Sequence, residues 1–178
     1  FYPAQIVHTH SINQKKKNKK AWELYQNWLV SPYPLNIITP VREPISRNIS
    51  AFFHELDFTG QIQNYSIKLQ GLEQLRDDFI KNYRHNYPLK WFDRELKSKF
   101  SIDVFAYPFP KEKGYLVIKT DYINLLLYQH ELSNEKKERL ICDFLGISKF
   151  SFSEKNMGAK SAYSKEYLAF RKYISLPV

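Results

Sequence analysis

The residues whose types and spacing could do chemistry lie between Ile37 and Ser50, in the order Ile37, Ile38, Thr39, Pro40, Val41, Arg42, Glu43, Pro44, Ile45, Ser46, Arg47, Asn48, Ile49, Ser50. An apolar run ending in Arg42 reads as a buried strand that carries a guanidinium to its carboxyl end, where open α/β sheets bind ligands. A helix starting at Pro44 turns its first amides toward the same place. A guanidinium grips a phosphate bidentately, and a hydroxyl eight residues later, Ser50, completes an anion cradle. The same residues also have a structural reading, in which Arg42 pairs with Glu43 and Ser50 is an ordinary helix serine. Upstream, His8 and His10 alternate along a short β-rich run at residues 5–10. No carboxylate or cysteine lies near that pair in sequence, so no metal site is expected there.

The elements that must position these residues follow from periodicity. Leu35 to Val41 reads as a strand. Before it, Ala21, Leu24, Trp28 and Leu29 share one helical face, and the basic run at residues 15–20 reads as an exposed loop leading into that helix. After it, Ile45, Ile49, Phe52, Phe53 and Leu56 form the apolar stripe of a second helix, with Pro44 in its first turn and Gly60 beyond its end. Leu72, Leu75, Phe79 and Tyr83 mark a third helix. No single structure is assigned to residues 85–110, where Tyr87-Pro88 and Tyr107-Pro108-Phe109-Pro110 interrupt any period. Gly114 introduces a compact strand at residues 115–119. Ser133 then caps a helix with Glu135 in its first turn, an apolar face of Leu140, Ile141, Phe144 and Leu145, and Gly146 as its stop. Tyr163, Tyr167, Phe170 and Tyr173 stand at helical spacing near the end. Alternating strands and helices predict an α/β fold around a mostly parallel central sheet flanked by helices.

At 178 residues, 43% hydrophobic and 16% aromatic, the chain is long enough for one core and is read as a single domain over residues 1–178. The net charge of +9 favours an anionic partner: phosphate, sulfate, nucleic acid or anionic lipid. The lone Cys142 lies in an apolar-periodic segment and cannot found a disulfide framework, which fits a reducing, cytoplasmic setting. No apolar run approaches the roughly 20 residues that span a bilayer, so no membrane span is expected. The chain opens on Phe1 within strand-like residues, and an upstream segment is expected.

A strand, then Arg42-x-Pro44, then Ser50 and the aromatics Phe52 and Phe53, resembles the 3′-phosphate-binding motif of the sulfotransferases that use 3′-phosphoadenosine 5′-phosphosulfate (PAPS). Val7-His8-Thr9-His10 is similar to the Lys-Thr-His strand end of the cytosolic members, with His8 in place of the lysine. The late strand with Asp121-Tyr122-Ile123, the Phe144-Leu145-Gly146 helix end, and Asn156, Lys160, Tyr163 and Tyr167 look most like the bacterial branch of capsular polysaccharide synthesis proteins. The resemblance implies a P-loop-like sulfotransferase fold lacking its first strand, loop and helix, with the phosphosulfate-binding loop upstream of Phe1. It also implies Arg42 and Ser50 on the donor's 3′-phosphate and His10 as catalytic base, a task that suits an imidazole whose ordinary pKa is about 6.5, or as a lining residue where, as in many carbohydrate sulfotransferases, a Glu from another helix is the base. Lys160 and Lys155 either close over the nucleotide or are solvated surface lysines.

The implied reaction moves a sulfuryl group from PAPS to a polysaccharide hydroxyl, with PAPS as co-substrate, a glycan as acceptor and no metal. Residues 85–91 together with Arg94 are aromatic and basic, a composition suited to stacking on sugar rings, and equally to packing beneath an irregular loop. Two other classes compete with the transferase: a catalytically inactive scaffold of capsule synthesis, and a basic nucleic-acid-binding module. Of these partners, nucleic acid is the one not expected.

Overall fold

A computed structural model of the chain describes residues 7, 11, 18–65, 69–152 and 163–174. In chain order its elements are α1 (Lys19–Leu29), β1 (Leu35–Val41), α2 (Pro44–Phe58), a 3-10 turn (Gln61–Asn64) and α3 (Leu69–Asn82). A π-helical turn (Asp93–Lys97) then runs into α4 (Ser98–Phe100), and a second 3-10 turn (Val104–Ala106) leads to β2 (Tyr115–Lys119), β3 (Ile123–Gln129), α5 (Asn134–Leu145) and α6 (Ser164–Tyr173). These elements form two units. One comprises Phe1–Val41 and Lys90–Phe150, the other Arg42–Leu89 and Ser151–Val178.

The first unit holds the sheet, in the order β1-β3-β2. β1 runs parallel to β3, with Leu35 opposite Ile123 and Val41 opposite Gln129, whereas β2 runs antiparallel to β3, with Tyr115 opposite Tyr128. The sheet is therefore mixed, which corrects the expectation of a mostly parallel one. The reason is the connection: only Thr120, Asp121 and Tyr122 separate β2 from β3, far too few residues for the crossover that parallel neighbours need. Thr120 closes this hairpin by donating its N–H to the Ile123 carbonyl at 2.8 Å and accepting the Ile123 N–H on its hydroxyl at 2.9 Å. Pro40 sits in β1, an outer strand among the described residues, where a missing N–H is tolerated.

Side-chain alternation along β3 divides the core of this unit in two. Ile123, Leu125 and Leu127 face Leu96, Phe100, Ile102, Val104 and Ile118, with Tyr25 and Trp28 of α1 packed against them. Leu126 and Tyr128 face Ile141 of α5, joined by Leu140, Phe144 and Ile38. β3 is thus covered on both faces and is the most deeply buried strand.

The second unit is helical. Ile49, Phe52, Phe53 and Leu56 of α2 pack with Leu72, Leu75 and Phe79 of α3 and with Tyr163, Tyr167 and Phe170. Its centre is aromatic: the Phe53 ring lies 5.4 Å from that of Phe170 and 5.5 Å from that of Tyr167.

The helix ends follow the sequence closely. The Asn18 side chain accepts the Ala21 N–H at 3.1 Å, and Ser133 Oγ accepts the Lys136 N–H at 3.3 Å. Gly60 and Gly146 take the left-handed conformation just beyond α2 and α5, at φ 70° and 66°. Lys19 and Lys20 belong to α1 and not to a preceding loop. Leu29 and Ile45, assigned to buried helix faces, are exposed. Of the strand expected at residues 5–10 only Val7 is described, and the lysines at 15–17 lie outside the described residues. Among the described residues, no helix is long and apolar enough to cross a membrane.

Candidate functional site

Two places in the described structure could hold a ligand, one in each unit. The first lies at the start of α2 in the second unit, where Arg42 is half-buried. Glu43 then caps α2, its carboxylate accepting the N–H of Ile45 at 2.8 Å and of Ser46 at 2.6 Å. Burial pushes the Glu43 carboxyl up. The hydrogen bonds from the Ser46 and Ile45 backbone and the Ser46 side chain, together with the Arg42 charge, outweigh that push and hold it below the usual carboxylate value.

This geometry changes what an anion would meet. The amides that the sequence directs at a phosphate are taken by an internal carboxylate, which satisfies them and complements the helix dipole by itself. Ser50 sits six residues beyond Pro44, about 9 Å along the helix axis, and is half-buried. An anion shared by Arg42 and Ser50 would therefore lie along the side of α2, not at its tip.

Ser46 and Arg47 stand one turn before Ser50 on that side. Arg47 Nη1 donates to Asn48 Oδ1 and to the Tyr83 hydroxyl, both at 3.3 Å, and its guanidinium lies 5.6 Å from the centre of the Tyr87 ring. The buried Asn48 donates Nδ2–H to the His85 carbonyl at 3.0 Å, while His85 Nε2 stands 2.6 Å from the Phe79 carbonyl. His85 and Tyr87, read as candidates for sugar contact, are engaged within this unit.

His10 and Lys160 lie outside the described residues, as do His8, Lys155 and Asn156. Tyr163 and Tyr167 are buried against Phe53 and serve the core.

The second place is a cavity of about 180 Å³ in the first unit. Its lining includes the aromatic residues Tyr25, Trp91 and Phe100 and the polar residues Ser11, Thr39 and Glu95. Glu95 is only 1% exposed, and its Oε1 accepts Ser11 Oγ–H at 2.8 Å and Arg94 Nε–H at 2.9 Å. A buried carboxylate needs such partners, because removing a charge from water costs several kcal/mol, of order, unless it is compensated.

The sequence reading named Trp91 and Arg94 but passed over Glu95. The available signal was an acidic residue inside an apolar stripe, one helical turn after Trp91 and immediately before Leu96.

A family model described as "Putative capsular polysaccharide synthesis protein" matches residues 65–175, more than half of the chain, and the chain belongs to that family. The family description ties it to capsular polysaccharide synthesis. The match takes in the π-helical turn with Glu95, both strands of the hairpin, α5 and α6, and it begins after Arg42 and Ser50. No curated protein and no solved structure matches the chain significantly.

Proposed function

We propose that this chain is a sulfotransferase-like enzyme of capsule or cell-surface glycan synthesis, transferring a sulfuryl group from PAPS to a polysaccharide hydroxyl. The observation that supports this reading is the place of Arg42, directly after the carboxyl end of a strand parallel to its neighbour and directly before α2. Arg42 and Ser50 hold the 3′-phosphate along the side of α2, and Lys160 closes on the nucleotide. In the reacting step the acceptor oxygen attacks sulfur, and a new O–S bond forms as the bond from sulfur to the 5′-phosphate oxygen breaks. The acceptor proton passes to His10, and adenosine 3′,5′-bisphosphate leaves with the electron pair. The protein's part is mainly to position the reactants and to stabilise charge on the transferring group and the leaving phosphate.

Calorimetric titration of adenosine 3′,5′-bisphosphate into the full-length protein and its Arg42→Ala variant tests this reading. The wild-type protein is expected to bind, and the variant to lose roughly 1.5 to 3 kcal/mol, the worth of a charge-assisted hydrogen bond. Absence of binding at low salt removes the donor site and leaves a capsule scaffold. Steeply salt-dependent binding of oligonucleotides, insensitive to Arg42, assigns the basic surface to nucleic acid instead.

A further inference from the structure

The second unit holds the charge of Arg47 in place without neutralising it. The side chain is half-buried, and three neutral groups fix its head: Asn48 Oδ1 and the Tyr83 hydroxyl accept Nη1–H, both at 3.3 Å, and the Tyr87 ring centre lies 5.6 Å away. Among the described residues no carboxylate pairs with it. Glu55 acts electrostatically on the Tyr83 hydroxyl but forms no ion pair with Arg47. Nε and Nη2, the edge of a guanidinium that grips a carboxylate through two parallel hydrogen bonds, donate to no described residue. Withdrawing a cation from water is unfavourable unless an opposite charge compensates it. A head already ordered by its neighbours also gives up little freedom when an anion docks on it.

The direction of this head separates it from the donor site. At about 100° per residue, Arg47 stands about 60° from Ser50 around α2, and Asn48 stands about 100° further on, away from Ser50. The hydrogen bond to Asn48 therefore turns the guanidinium away from Ser50 and toward Tyr83 and Tyr87. An anion on its open edge is not the one shared by Arg42 and Ser50. The loop it faces adds positive charge and no negative charge: Arg84, next to Tyr83, is exposed, and residues 79–92 contain neither Asp nor Glu.

The ligand class follows from the shape of the fork and from the family's tie to a polysaccharide. The anionic group that a sugar ring itself carries is the planar carboxylate of a uronic acid, and two parallel N–H groups match its two oxygens. We propose that Arg47 binds the carboxylate of an acidic sugar residue, so that the polysaccharide this protein handles contains uronic acid. The proposal rests on the polysaccharide part of the preceding reading and on neither PAPS nor sulfuryl transfer.

Calorimetric titration of tetragalacturonate and of its neutral methyl ester into the full-length protein, without nucleotide, tests it. The acid is expected to bind about tenfold more tightly than the ester, or better. Arg47→Gln, with folding checked by circular dichroism, is expected to weaken the acid about tenfold. Arg47→Lys, which keeps the charge and loses the fork, is expected to weaken it several-fold, and it carries the comparison if the glutamine variant does not fold. Lys172→Gln removes the same charge from an exposed position of α6 and is expected to change binding by less than about twofold. The proposal is overturned if neither oligosaccharide binds, if the ester binds as well as the acid, or if a folded Arg47 variant binds as the wild type does. It is also overturned if Lys172→Gln is as damaging as Arg47→Gln, which would mean diffuse attraction by net charge, or if adenosine 3′,5′-bisphosphate displaces the acid, which would assign Arg47 to a donor phosphate. Because the titration itself contains no nucleotide, its failure is a separate result from failure of the donor site.

Discussion

Glu43 shows how one side chain redirects a site. Its carboxylate occupies the first amides of α2, so replacing it with alanine leaves those donors to water alone. Glu43→Ala is expected to cost about 1 kcal/mol in urea denaturation at neutral pH, the usual worth of an N-terminal cap. The effect has a pH signature. A carboxyl held below its ordinary value of 4.5 in the folded state stabilises the fold above that value, and the contribution is lost as pH falls through the lower, folded value. Wild type and variant should therefore differ at pH 7 and converge in acid. A difference that persists after acidification would mean that the side chain acts by packing and not by its charge. Glu95 makes the opposite use of a carboxylate. It is 1% exposed and is compensated by Arg94 and Ser11.

At the scale of elements, turn chemistry decides the sheet. Gly114 precedes β2 at φ 77°, and a Cβ there would lie 2.8 Å from Leu132 Cδ2 and 3.0 Å from Gln129 Oε1. Gly146 ends α5 at a similar angle, φ 66°, with nothing within 4 Å of the same added atom. Gly146→Ala should cost about 1 kcal/mol, the strain of the left-handed conformation alone. Gly114→Ala should cost more, because the same strain is joined by a collision in the loop that leads into the hairpin. Comparison of their urea midpoints checks the order, and equal losses would show that Leu132 moves aside freely. The helices and β1 were legible because their signals are local: an apolar stripe, a capping residue, a glycine just past the end. β3 was missed for a related reason. Ile123-Asn124-Leu125-Leu126-Leu127-Tyr128-Gln129 is an almost continuous apolar run, as a strand covered on both faces must be, and such a run has no alternation to betray it.

At the scale of the whole molecule, the chain passes between its two units three times, so each core is assembled from distant stretches of sequence. Phe170, fully buried, packs on Phe53 and Phe79, more than ninety positions away in the chain. Phe170→Ala is expected to destabilise the second unit by about 3 to 5 kcal/mol, the range for removing a buried ring that its neighbours cannot fill, as read by the loss of cooperative unfolding in urea. A loss below 1 kcal/mol would mean that the aromatic cluster collapses to close the gap.

By itself the sequence determined the helical segments other than the one at residues 93–100, the residues that stop α2 and α5, the position of β1, and the family-like spacing of Arg42 and Ser50. All of these depend on neighbours within about two helical turns. Only the tertiary structure decided that β2 runs antiparallel, that β3 is the buried centre of the sheet, and that a π-helical turn sets Glu95 into a cavity beside Ser11. Ser11 and Glu95 are 84 positions apart, and their hydrogen bond exists because the first unit folds β1, α1 and the π-helical turn around one core. No local pattern encodes such a contact, since a buried charge is tolerated only where the whole fold supplies its partners.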